Sequence, residues 1–150
     1  KILPKFFDKF PIKKKQITSA ILDNKQNLKK IIKIIHLEIK KKLNLFLKNN
    51  KNKKIIILDI PLLLENKINK RGDILVFVES KKKEILKRLK KRSNYNQKLL
   101  NKFKKIQLSL DYKKKKSDFI IKNDFKMRTV KKYVKNILNN VLNERSSIRY

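Results

Sequence analysis

Three observations predict an α/β layered fold built around a parallel sheet. First, short runs of apolar, mostly β-branched residues stand at 55–58, 73–78 and 118–121, each short enough to be a strand covered on both faces. Second, longer stretches between them carry apolar residues at helical spacing, with lysines on the intervening positions. Third, the 150 residues contain one glycine and three prolines, so little interrupts these stretches. The length is that of a single domain and permits a proper core.

The elements follow in order. Residues 1–13 contain Pro4 and Pro11 and should be irregular. Residues 14–22 form a short helix. Residues 25–48 form a long one, with Leu28, Ile31, Ile32, Ile35, Ile39, Leu43 and Phe46 on its apolar side. Residues 49–54 are a polar break before the first strand, Ile-Ile-Ile-Leu at 55–58. Pro61 ends that strand, and residues 61–66 are a loop or the first turn of a helix. The second strand is 73–78. Ser80 caps a helix at 81–91, and Asn96 caps a long helix running to about Lys115. Its apolar stripe is Leu99, Phe103, Ile106 and Leu110. The third strand is 118–121, the last helix 129–142, and residues 144–150 a frayed tail. Phe46, Phe77, Phe103, Phe119 and Tyr133 fall at core positions.

Composition removes several classes. Without cysteine there is neither a disulfide framework nor a thiolate metal site, and one histidine, His36, cannot make a His-rich one. No signal-peptide pattern or membrane-length apolar run is visible, which reads as a cytoplasmic chain with no membrane partner. Arg71-Gly72-Asp73 spells an adhesion tripeptide but reads as a turn before a strand. The formal net charge of +32 suggests a nucleic-acid binder. Yet lysine outnumbers arginine 38 to 6, and Lys, Asn and Ile together make half the chain. Attraction to phosphate accounts for lysine but not for asparagine or isoleucine, and base or phosphate recognition favours arginine. Codon composition explains all three, and the lysines spread over every predicted helix.

Ligands of open parallel sheets bind beyond the carboxyl ends of the strands. That singles out residues 59–65, Glu79-Ser80 and Asn123-Asp124. The first of these follows its strand as Asp59-Ile60-Pro61-Leu62-Leu63-Leu64-Glu65. A strand, Asp-Ile-Pro-Leu-Leu-x-Glu, a second strand and a helix with spaced arginines resemble the dephospho-coenzyme A kinase family. The resemblance continues through Arg88 and Arg92, then Gln107, Lys113, Ser117-Asp118 and Asn123. Upstream, Lys14 and His36 stand where the family has an Asp-Arg pair and a His-Pro dipeptide, although Leu37 replaces that proline. The glycine that follows the family's Asn is also replaced, by Asp124-Phe125. The likeness covers about residues 12–142.

The resemblance implies a parallel-sheet, P-loop kinase-like three-layer fold. It also implies transfer of the ATP γ-phosphoryl group to the 3′-hydroxyl of dephospho-coenzyme A, with Mg²⁺. It divides the chain into a helical acceptor-binding part at about 1–50, core strands at 54–80, lid helices at 81–116, and a last strand and helix at 117–143. Arg88 and Arg92 would be catalytic lid cations. Lys14, His36, Pro61 and Glu65 would bind the acceptor, Gln107 and Asn123 would lie toward ATP, and Asp59 near the metal. The family opens with a strand, a Gly-rich loop ending Gly-Lys-Ser/Thr and an Asp, none of which is present here. The expectation is therefore an N-terminally truncated kinase. Its sheet order, 2-3-1-4-5, would lack the strand between 55–60 and 73–78, and the chain alone would neither bind ATP nor fold stably. A small basic nucleic-acid-binding protein and another nucleoside or nucleotide kinase are the alternatives. Oligomeric state is not readable.

Overall fold

The computed structural model describes Leu3 and residues 11–147, with side chains described as far as residue 143. Six helices and two strands lie among these residues. In order they are α1 (Lys14–Asp23), α2 (Lys25–Asn49), β1 (Val76–Glu79), α3 (Lys82–Lys90), α4 (Gln97–Lys104), α5 (Leu110–Lys115), β2 (Phe119–Lys122) and α6 (Met127–Ser147). The chain divides into two units. One holds residues 1–69 and 96–107, and the other holds 70–95 and 108–150.

In the first unit, α1 and α2 are joined through one residue, Asn24, and pack against each other. Asn24 closes α1 in an extended conformation and opens α2, its side chain accepting from Gln26 N at 2.8 Å. Ala20, Ile21 and Leu28 make the buried apolar contact. Asn27 is buried beside them and donates through Nδ2 to the Ala20 carbonyl at 3.0 Å, so its polar group is satisfied rather than stranded. Lys102 on α4 donates to the carbonyls of Ile21 and Leu22 at 2.7 and 2.9 Å.

Residues 55–58 correct the sequence reading. They form no regular secondary structure and pair with no strand, and they alternate between exposed and half-buried, with Ile57 83% exposed. A strand is buried on both faces only when a ladder holds it inside a layered sheet. Among the described residues the sheet has two strands, β1 and β2. Beyond Pro61 the chain makes turns, with Leu62 and Lys67 at φ of 58° and 51°. The Leu62 carbonyl accepts from both Asn66 N and Asn66 Nδ2.

In the second unit, β1 and β2 pair in parallel, Val76 opposite Phe119 and Glu79 opposite Lys122. The ladder is lengthened by Asp118, whose carboxylate accepts from Leu75 N at 2.7 Å, and by Asn123 N donating to Glu79 O at 2.8 Å. α6 packs on β2, with Ile121 and Val141 buried. β1 starts later than the sequence reading because Asp73 belongs to the preceding turn, its side chain accepting from Lys70 N while Gly72 takes φ 90°. One face of β1 is open, with Val78 55% exposed.

Four further expectations change. Lys81, not Ser80, is the N-cap of α3, because its extended backbone places its carbonyl under Glu84 N and Ile85 N. Asn96 does cap α4 by accepting from Leu99 N at 2.9 Å, but the helix stops at Lys104. Ser109 then caps a separate α5 through Tyr112 N. Phe46 is 47% exposed on α2 rather than in the core. Residues 144–147 continue α6 instead of fraying. Pro4 and residues 148–150 lie outside the described residues, and Pro11 stands at a bend.

Candidate functional site

A groove is found in each unit among the described residues. That of the first unit, about 450 Å³, runs along one stripe of α2. Lys29, Lys33, His36 and Lys40 recur there at intervals of four, three and four residues, which is one helix face. Leu62, Glu65 and Asn66 form the facing wall, and Ile32, Leu37 and Ile106 add apolar surface. The folding reason is local. Pro61 begins a run of turns, Leu62 takes a left-handed conformation, and the turns carry Glu65 back beside α2. His36 and Glu65, 29 positions apart in sequence, are thereby brought to one site. Lys14 at the start of α1, Asp59 and Pro61 are exposed and are not among the residues lining this groove. Gln107 is exposed next to Ile106.

The groove of the second unit, about 510 Å³, lies at the carboxyl ends of both strands, where open parallel sheets take ligands. Glu79 ends β1 and Ser80 follows it, and Asn123, Asp124 and Phe125 follow β2. Lys81, Glu84 and Lys122 complete it. The Lys114 ammonium donates to Glu79 at 2.7 Å and holds its carboxyl below the usual glutamate range, helped by the charges of Lys114 and Lys122. Asp124 is likewise held below the usual aspartate range, first by the Lys126 backbone N–H at 2.9 Å and also by the Thr129 hydroxyl at 2.9 Å.

Asn123 Oδ1 accepts from Phe125 N at 2.8 Å. With that oxygen committed to the turn, the Nδ2 amide is the part of Asn123 left to meet an acceptor on a ligand. Arg88, exposed on α3, places its guanidinium carbon 3.8 Å from the centroid of the Phe125 ring. Arg92 lies beyond the end of α3, in the turn where its carbonyl accepts from Tyr95 N. Among the described residues no three His, Cys, Asp or Glu side chains cluster as a metal cage. No helix there is long and apolar enough to cross a membrane.

Sequence reasoning did not find the α2 lysines or Phe125. The stripe signal was present, but 38 lysines mask any three. The signal for Phe125 was the aromatic residue standing in an Asn-Asp-Phe turn, where backbone freedom rather than bulk is expected.

Comparison with known proteins places the sequence in a family. A family model described as dephospho-CoA kinase matches residues 6–129. Among curated relatives, the dephospho-CoA kinase of Fusobacterium nucleatum is 34% identical over 125 residues, 82% of this chain and 63% of its own. That of Wolbachia pipientis is 33% identical over 118 residues, covering 77% and 60%. That of Rickettsia bellii is 33% identical over 141 residues, covering 94% and 72%. The chain thus spans roughly 60% to 72% of the length of these relatives.

Proposed function

We propose, on the premise that the chain belongs to the dephospho-CoA kinase family, that it carries the acceptor-binding and nucleotide-facing parts of an ATP-dependent kinase acting on the 3′-hydroxyl of dephospho-coenzyme A. The observation that carries this reading is the groove of the first unit, whose lining combines His36 and Glu65 with apolar side chains and three lysines of α2. An acceptor with an apolar-and-amide arm and phosphate groups matches that mixture. Glu65, carried there by the turns that begin at Pro61, shapes the wall facing α2, His36 contacts the acceptor from the helix, and Lys14 adds a cation at the start of α1.

ATP is the proposed phosphoryl donor. The adenine ring, with its ring-nitrogen acceptors, suits the Nδ2 amide of Asn123, and Gln107 is proposed as a nucleotide-binding residue from its place in the family pattern alone. Arg88 and Arg92 would neutralise charge on the transferring group. Asp59 offers one exposed carboxylate oxygen donor, which fits Mg²⁺, an ion commonly bound through one or two carboxylates together with substrate phosphates. Bound there, the ion would supply charge neutralisation at the phosphate oxygens. Phosphoryl transfer also requires a backbone cradle for the phosphates. The only glycine, Gly72, serves a turn instead. The 150 residues are therefore expected to show no kinase turnover by themselves.

The test is an assay of the protein at its full native length with ATP and Mg²⁺. The expected result is stoichiometric conversion of dephospho-coenzyme A, with His36→Ala and Glu65→Ala raising KM for the acceptor more than for ATP. Phosphorylation of nucleoside monophosphates with none of dephospho-coenzyme A would overturn the reading.

A further inference from the structure

We propose that Phe125 is a positioning residue whose ring holds the Arg88 guanidinium at the edge of the second unit's groove. The proposal rests on the reading of Arg88 as a cation that meets the phosphate groups of the nucleotide.

The first observation is the backbone of Phe125. Its φ is 64°, a left-handed conformation uncommon for a bulky L-residue and costly unless the surroundings fix it. Here they do. Asn123 Oδ1 takes the Phe125 N–H from one side, and Asp124 binds Lys126 N and Thr129 Oγ1 on the other. The side chains of Asn123 and Asp124 thus clamp the turn, and the ring is carried into the groove wall.

The second observation is what lies on that ring. Arg88 sits on an exposed part of α3, where a long side chain has many rotamers to choose from. Glu84 is one turn earlier on the same helix and would be an ordinary ion-pair partner. Instead the guanidinium stacks 3.8 Å above Phe125. The difference matters chemically. A carboxylate would occupy the N–H fork of the arginine, whereas a ring below the plane leaves the in-plane N–H donors pointing outward and available to phosphate oxygens. The stack restricts where Arg88 is found without spending the donors it needs.

The experiment has two arms. In the full-length protein, Phe125→Leu is expected to lower kcat about two- to five-fold, the equilibrium bias that an exposed cation–ring contact provides. KM for dephospho-coenzyme A should stay constant, and Phe125→Tyr, which keeps the ring, should restore the rate. In an Arg88→Ala background the Leu substitution should have no further effect. Multiplying effects in the double variant, or an unchanged kcat in Phe125→Leu, would overturn the proposal. The second arm needs no turnover. In the same full-length protein without substrates, the Arg88 side-chain proton resonances, assigned by their loss in Arg88→Lys, should show an upfield ring-current shift that Phe125→Leu removes and Phe125→Tyr keeps. Unshifted Arg88 resonances would overturn the proposal. Full-length wild-type protein inactive on dephospho-coenzyme A, but with the shift present, would remove the kinase reading while leaving Phe125 as the seat of Arg88.

Discussion

Among the 38 lysines of this chain, Lys102 stands where a cation closes a helix end. The last four carbonyls of a helix have no partner within it. At α1 three of them are met from outside, Ala20 by Asn27 Nδ2, and Ile21 and Leu22 by the Lys102 ammonium. The ammonium also faces the negative end of the helix dipole. Lys102→Ala should therefore destabilise the first unit by about 1–3 kcal/mol, the range for a lost hydrogen bond to a charged donor in a partly buried setting. The exposed Lys104→Ala on the same helix should change stability by less than about 0.5 kcal/mol. Urea unfolding of the two variants beside the parent chain measures both. Equal midpoints for the two would mean that the α1 carbonyls are as well served by water.

At the scale of elements, helices and loops obey local rules, whereas strands need partners. α1, α2, β2 and α6 stand close to where spacing and caps place them, since the information is carried by neighbours a few residues apart. Residues 55–58 read as a buried strand from apolar content alone, yet burial depends on a ladder that no local pattern specifies. This gives a direct contrast. In the 150-residue chain, Ile57→Ser should shift the unfolding free energy by less than about 0.5 kcal/mol, while Leu28→Ala, 3% exposed at the α1–α2 contact, should cost about 2–5 kcal/mol. Denaturant titration followed by circular dichroism reads the difference, and a large loss in Ile57→Ser would restore the buried-strand reading. The candidate sites divide the same way. Glu65 was legible as a candidate through the Asp-Ile-Pro-Leu-Leu-x-Glu segment and His36 through its place at a His-Pro position, and the turns after Pro61 bring the two to one groove. The left-handed Phe125 was not legible, because its conformation is fixed by side-chain acceptors at Asn123 and Asp124 acting together.

For the whole molecule, the dominant physical term outside the cores is the net charge of +32. Among the described residues the buried apolar side chains are few, Leu3, Ala20, Ile21, Leu28, Ile121 and Val141, and no large one is fully buried. The ion pairs Lys41–Glu38 and Lys114–Glu79 are solvent-exposed, a class that adds little to stability. Self-repulsion among lysines therefore acts against a small favourable balance. Its range is set by salt. At about 0.01 M the screening length is about 30 Å, so most lysines repel one another across a unit, and at about 0.15 M it falls to about 8 Å, which leaves only near neighbours. Repulsion between like charges and attraction within pairs respond to salt with opposite signs. Since like charges prevail here, the melting midpoint of the chain should rise as sodium chloride increases over that interval and then level off once neighbours too are screened. Thermal unfolding across a salt series decides it. A midpoint that falls with salt would show that the two pairs and other attractive contacts outweigh the lysine field, and the charge would then be a source of stability rather than a load on it.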